Sequence, residues 1–136
     1  MELDLSFDFT GVERPKYEPV PEDVYRVMCS ALNVVPSKSN PDNVLANGTY
    51  EIVNHPEYAG KKVFANQVIA GPSANTAYIK VWLESFIGEP LTGEFSFDPE
   101  QFVGLEADCF IGLKPDYKDN TKTVNEIKYW IPPFDE

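Results

Sequence analysis

Residues 44–69, VLANGTYEIVNHPEYAGKKVFANQVI, hold two runs of alternating apolar and polar residues around a short break containing Pro56 and Gly60. Alternation of period two, closed by turn formers, predicts a β-hairpin. Tyr50 and Ile52 fall in the first run and Phe64 in the second, which Lys61 and Lys62 open. Aromatic rings beside lysines on adjacent strands suit single-stranded nucleic acid, whose bases stack and whose phosphates need neutralising. The same residues also suit an ordinary core hairpin whose lysines keep an edge soluble. Gly48, inside the first run, predicts a bulge or the close approach of another backbone.

Twelve prolines divide the rest of the chain. Proline is excluded from central strands and helix interiors, so the intervals between prolines are the candidate elements. Residues 24–35, VYRVMCSALNVV, read as a first strand through their β-branched content. The loop 36–43, PSKSNPDN, is dense in turn formers. Over 73–88 the period changes. Ile79, Trp82, Leu83 and Phe86 recur at helical spacing, with Ser73 or Asn75 as N-cap and Gly88 just past the end. Trp82 on that face reads as core. Residues 92–97 form a short strand-like piece. Asp98-Pro99-Glu100-Gln101 is a helix start, with room for a turn or two before Gly104. Residues 105–114 and 123–131 alternate again and predict two last strands, joined by the long polar loop 115–122, PDYKDNTK.

Three strands, a helix, then two strands is the order of a mainly β, five-stranded OB-fold-like barrel with one helix between strands 3 and 4. A small α+β sandwich shares that order. In the OB-fold the face of strands 2 and 3 and the loops joining strands 1–2 and 4–5 bind single strands. Those regions hold Lys38; Tyr50, Lys61, Lys62 and Phe64; and Tyr117, Lys118 and Lys122. The last strand adds Lys128 and Trp130. Together these are the candidate nucleic-acid surface. Tyr50, Phe64, Tyr117 and Trp130 are its candidate base platforms, each of which also fits a core, Phe64 most of all.

The chain has 136 residues, which predicts one domain over 1–136. An acidic N-terminal extension over 1–23 and a short acidic tail over 132–136 flank its body. The formal net charge of −11 argues against a generic nucleic-acid binder. Its distribution softens that objection. Residues 1–23 carry seven acids against Arg14 and Lys16, and the tail adds Asp135 and Glu136. The body, 24–131, holds thirteen acids and nine bases. A mildly acidic body can still carry a basic groove, because binding follows the local potential. The same charge motivates an alternative: an acidic protein-interaction module, or a DNA mimic that blocks a host DNA-binding protein.

No apolar run approaches the ~20 residues of a membrane span. The opening MELDLSFDF lacks the positive region of a signal peptide. A cytoplasmic protein without a membrane partner is therefore expected, with Cys29 and Cys109 as buried free thiols. Catalytic motifs are wanting. His55, the single histidine, sits beside Pro56 in a turn. The sequence lacks clustered zinc ligands and the phosphate-loop, dinucleotide and nucleophile-elbow motifs. Asp116 with Asp119, and Asp98 with Glu100, could hold a divalent metal but read as solvated loop acids. No enzyme activity, cofactor or metal is expected.

An ordered set of motifs runs almost end to end: FDF at 7–9, YEPVPEDVY at 17–25, TYEIVNHPEYAGKKVF at 49–64, the apolar helix ending at Gly88, and NEIKYW at 125–130. With these motifs the chain resembles a family of small bacteriophage proteins known as single-stranded DNA-binding proteins, or as a phage domain of uncertain function encoded near replication and recombination genes. Two features depart from that pattern: a short loop after the first strand, and extra residues over 89–104. The resemblance implies an OB-like fold and non-sequence-specific single-stranded DNA binding in phage replication or recombination, in the host cytoplasm. The end, YWIPPFDE, is similar to the acidic tails of such binders, although here the acids follow the Pro-Phe pair. That likeness implies that Phe134, Asp135 and Glu136 dock phage or host replication or recombination proteins. A frayed terminus fits the same residues.

Overall fold

The computed structural model describes residues 5–12 and 18–134. Along them run β1 (Asp23–Pro36), β2 (Val44–Val53), β3 (Lys62–Ala70), α1 (Thr76–Ile87), α2 (Pro99–Phe102), β4 (Glu106–Pro115) and β5 (Thr123–Ile131). The strands form one antiparallel sheet in the order β3-β2-β1-β4-β5. β1 serves two partners. Asp23–Met28 pair with β4, and Arg26–Pro36 pair with β2. The register with β2 shifts between Cys29 and Ala31, a bulge that bends the strand and increases its twist. The sheet curls until its edge strands, β3 and β5, bring Cα atoms within 8 Å of each other. No ladder joins those edges, so the sheet is not closed.

The opening stretch forms the expected hairpin. Its turn is held by the Gly60 N–H donating to the Ile52 carbonyl at 2.9 Å and the Ile52 N–H donating to the Lys61 carbonyl at 2.8 Å. His55 organises the turn, its Nδ1 accepting from the Glu57 and Tyr58 N–H groups at 3.0 Å each. The expectation for Gly48 needs correction. The register runs through it without a bulge, and its close neighbour is a side chain: a Cβ at 48 would run into the Tyr50 ring.

α1 starts where Asn75 accepts from the Ala77 and Tyr78 N–H groups, and it ends at Gly88, in the left-handed region at φ 84°. Its face of Trp82, Leu83 and Phe86 is buried. Here the rings gather. Phe86 lies 4.6 Å from Phe102 and 4.9 Å from Trp130, and Trp130 lies 4.9 Å from Tyr50. The Trp82 indole donates to the Tyr50 hydroxyl at 3.3 Å. A second helix, the single turn α2 capped by Asp98, follows in place of a lone helix between β3 and β4. Residues 92–97 form no strand. Phe97 packs on the helices instead, 5.5 Å from Trp82 and 5.7 Å from Phe102, while Phe95 stays exposed. Glu84, wholly buried, ties this segment to α1 by accepting the Leu91 N–H at 2.8 Å.

The segment before β1 joins the body through Asn125. Its Oδ1 accepts the Val20 N–H at 2.8 Å, and its Nδ2 donates to the Val20 and Gly112 carbonyls at 3.0 and 3.2 Å. Among the described residues, no helix is long and apolar enough to cross a membrane.

Two predictions follow from this packing. Asn125→Ala strands buried amide and carbonyl groups of Val20 and Gly112, and should cost about 1–3 kcal/mol in chemical denaturation. Asn125→Asp should not rescue it, because a carboxylate has no proton for those carbonyls. Cys29 and Cys109 are free and fully buried. Burial pushes their thiols up to about 11 and about 12, so both stay protonated at neutral pH. The stability linked to these raised values is present below the ordinary thiol range and is lost as pH rises through them. A thiol-reactive disulfide reagent at neutral pH should therefore label both cysteines only after unfolding.

Candidate nucleic-acid interface

The pairing of β2 with β3 decides which hairpin side chains reach solvent. Tyr50 stands opposite Val63, and both are buried; Phe64 stands opposite Thr49, and Lys62 opposite Glu51. Successive strand residues point to opposite faces, so Lys62 and Phe64 share the outer face. Phe64 is 70% exposed, contrary to the expectation that it packs in the core. Tyr50 is corrected in the other direction. At 1% exposure, packed against Phe86 and Trp130, it has no free ring face for a base.

The β4–β5 loop, 116–122, folds on itself. The Asp116 N–H donates to the Lys122 carbonyl at 3.0 Å, and the Lys122 N–H donates to the Asp119 carbonyl at 2.9 Å. Both loop carboxylates cap local amides. Asp116 accepts the Lys118 N–H, and Asp119 accepts the Thr121 N–H and hydroxyl. The Thr121 bonds hold the Asp119 carboxyl below its ordinary value. Tyr117 points outward, 91% exposed, with the Lys118 ammonium 5.8 Å from its ring centre.

Between β3 and this loop lies a groove of about 1080 Å³. Lys62, Phe64, Tyr117 and Lys122 line it together, joined by Asp116 and by Lys114 from the end of β4. Lys61 lines a smaller cleft that shares Lys62 and Phe64 with the groove. Sequence reasoning missed Lys114 because it was counted as a strand residue. Its position one residue before Pro115 and the loop is the signal that would have found it.

The structure does not bring the remaining candidates to this groove. Lys38 follows β1 at the end where Val44 pairs with Ala70, the far end of β3 from Lys62. The nine residues of β3 put about 25 Å between those ends. Lys128 lays its stem over Gly112 and pairs with Glu126 at 3.1 Å. Trp130 is half-buried and lines a separate cavity of about 330 Å³ between β3 and β5, together with Lys128. Phe134 is half-buried, and Asp135 and Glu136 lie outside the described residues.

Among the described residues, ion pairs engage three bases elsewhere. Arg26 pairs with Glu106 and Asp108, Lys80 with Glu84, and Lys128 with Glu126. None involves Lys61, Lys62, Lys114, Lys118 or Lys122. Also among the described residues, no three His, Cys, Asp or Glu side chains group as a metal site. An aromatic pair that the sequence did not flag, half-buried Phe110 and exposed Tyr129, stacks at 5.3 Å across β4 and β5.

Placement predicts energetics. Phe64→Ala and Tyr117→Ala should change stability by no more than about 0.5 kcal/mol, as surface positions do. Tyr50→Ala should cost about 3–5 kcal/mol in the same urea titration. No protein-family model matches the chain and no curated protein matches its sequence, so what the groove does rests on its own residues.

Proposed function

We propose that this chain binds single-stranded nucleic acid, without sequence specificity, along the outer face of β3 and the groove beside it. One observation carries the reading: three lysines that form no ion pair among the described residues line the same groove as two exposed rings. Lysines supply the sequence-independent attraction to phosphate, and the rings of Phe64 and Tyr117 supply stacking faces that accept any base. The strand order supports an OB-like barrel with an open seam. β1 is shared by β2 and β4, and β3 and β5 curl toward each other. In such a barrel a strand crosses from the loop between strands 4 and 5 toward the loop between strands 1 and 2. Here that path leads from Lys122 over Phe64 toward Lys38. The likeness to phage proteins assigns the activity to phage DNA replication or recombination in the host cytoplasm. In the same reading, the tail at Phe134, Asp135 and Glu136 docks replication proteins.

Fluorescence anisotropy with a labelled oligothymidylate over a salt series tests the reading. About three to five phosphate contacts give a log–log slope of roughly −2 to −4. Lys62→Glu with Lys122→Glu should flatten the slope and weaken binding. Phe64→Ala and Tyr117→Ala should each cost about 1–3 kcal/mol of binding. Absence of binding at low salt, or equal affinity for duplex, would overturn it and leave the acidic interaction module or DNA mimic.

A further inference from the structure

Residues 2–9, ELDLSFDF, alternate a polar with an apolar side chain at every step. Strict alternation of this length is the pattern of a half-buried strand. Yet the described part forms no strand, and Leu5, Phe7 and Phe9 are 73%, 72% and 71% exposed. The Phe7 and Phe9 rings stack on each other at 5.8 Å. The segment ends in a turn where the Val12 N–H donates to the Phe9 carbonyl at 3.0 Å. One part of this chain thus has a strand's pattern and no ladder. Another part, the sheet, has two strands, β3 and β5, with a free edge among the described residues.

We propose that the N-terminal arm of one copy of this chain adds as a strand in the open seam of a second copy, at the end where the lysine groove lies. Side-chain parity fits. Leu5, Phe7 and Phe9 fall on one face of an extended arm, suited to Val63 and Val124 between the sheet edges. Asp8 falls on the other face, beside the outward Lys62 and the rim lysines Lys114 and Lys122. Charge is complementary, since residues 2–9 contain no base and these lysines form no ion pair among the described residues. The exposure of the arm favours a second copy over the chain's own seam. Val20, pinned by Asn125, borders the cleft that adjoins the groove, and the eleven residues back to Phe9 can span about 35 Å. The arm can reach its own seam and still leaves its apolar face in water. Reciprocal exchange between two copies buries both arms and closes as a two-fold dimer.

The inference does not depend on nucleic-acid binding, and its test contains none. Sedimentation velocity of the full chain over a wide concentration range should show a monomer–dimer equilibrium. The full-length variant F7S/F9S, altered only at exposed positions, should keep the folded chain's circular dichroism spectrum and remain monomeric. A labelled peptide of residues 1–12 should bind that variant, and adding K62E/K122E to it should weaken peptide binding at least about tenfold. A wild-type chain that stays monomeric, a dimer indifferent to F7S/F9S, or peptide binding indifferent to K62E/K122E would overturn the proposal. A chain that passes here and binds no oligonucleotide loses only the nucleic-acid reading.

Discussion

The contact of Tyr50 with Val63 across β2 and β3 is the constraint on which the rest depends. Strand side chains alternate faces, so this one inward pair settles every other position of the hairpin. It sends Phe64 and Lys62 outward and turns Tyr50 into the core. Gly48 makes the arrangement possible by leaving the Tyr50 ring the space a side chain would fill. The Tyr50 hydroxyl then receives the Trp82 indole, which links the sheet to α1. A slip of one residue would bury Lys62, whose charge has no partner there, and expose Val63 and Tyr50. The groove and the core are therefore set by the same register.

Much of this was legible in the sequence, and the failures have physical causes. Elements announced by turn chemistry were found: the hairpin, the Asn75 and Gly88 caps, the Asp98 turn and the loop before β5. Parity was not legible, because Tyr50 and Phe64 are both good strand residues and only the register separates them. Residues 92–97 alternate as a strand would, but Phe97 packs on Trp82 and Phe102, a contact that arises from tertiary packing. Of the candidate site, Lys62, Phe64, Tyr117 and Lys122 meet in one groove, whereas Lys38, Lys128 and Trp130 stand elsewhere. Lys114 stands one residue before Pro115 in the sequence, but that it reaches the groove depends on how the end of β4 lies beside β3.

The acidity of the chain and the basicity of the groove coexist because many carboxylates are already engaged. Asp98, Asp116 and Asp119 accept amides of their own turns, and Glu106, Asp108 and Glu126 face cationic partners. A carboxylate that accepts N–H groups has much of its field balanced locally. The lysines around Phe64 and Tyr117 form no ion pair among the described residues. Net charge thus describes the colloidal behaviour of this protein better than it describes any one face.

The two tryptophans stand in unlike surroundings. Trp82 is sealed in the interior with its indole N–H bonded to Tyr50, while Trp130 is half-buried on the edge strand β5. Their emission is therefore separable in kind: one fluorophore sees only the core, and the other borders the open side of the sheet. A quencher dissolved in water meets the second and not the first. The protein carries its own optical gauge of the seam, with an internal reference a few side chains away.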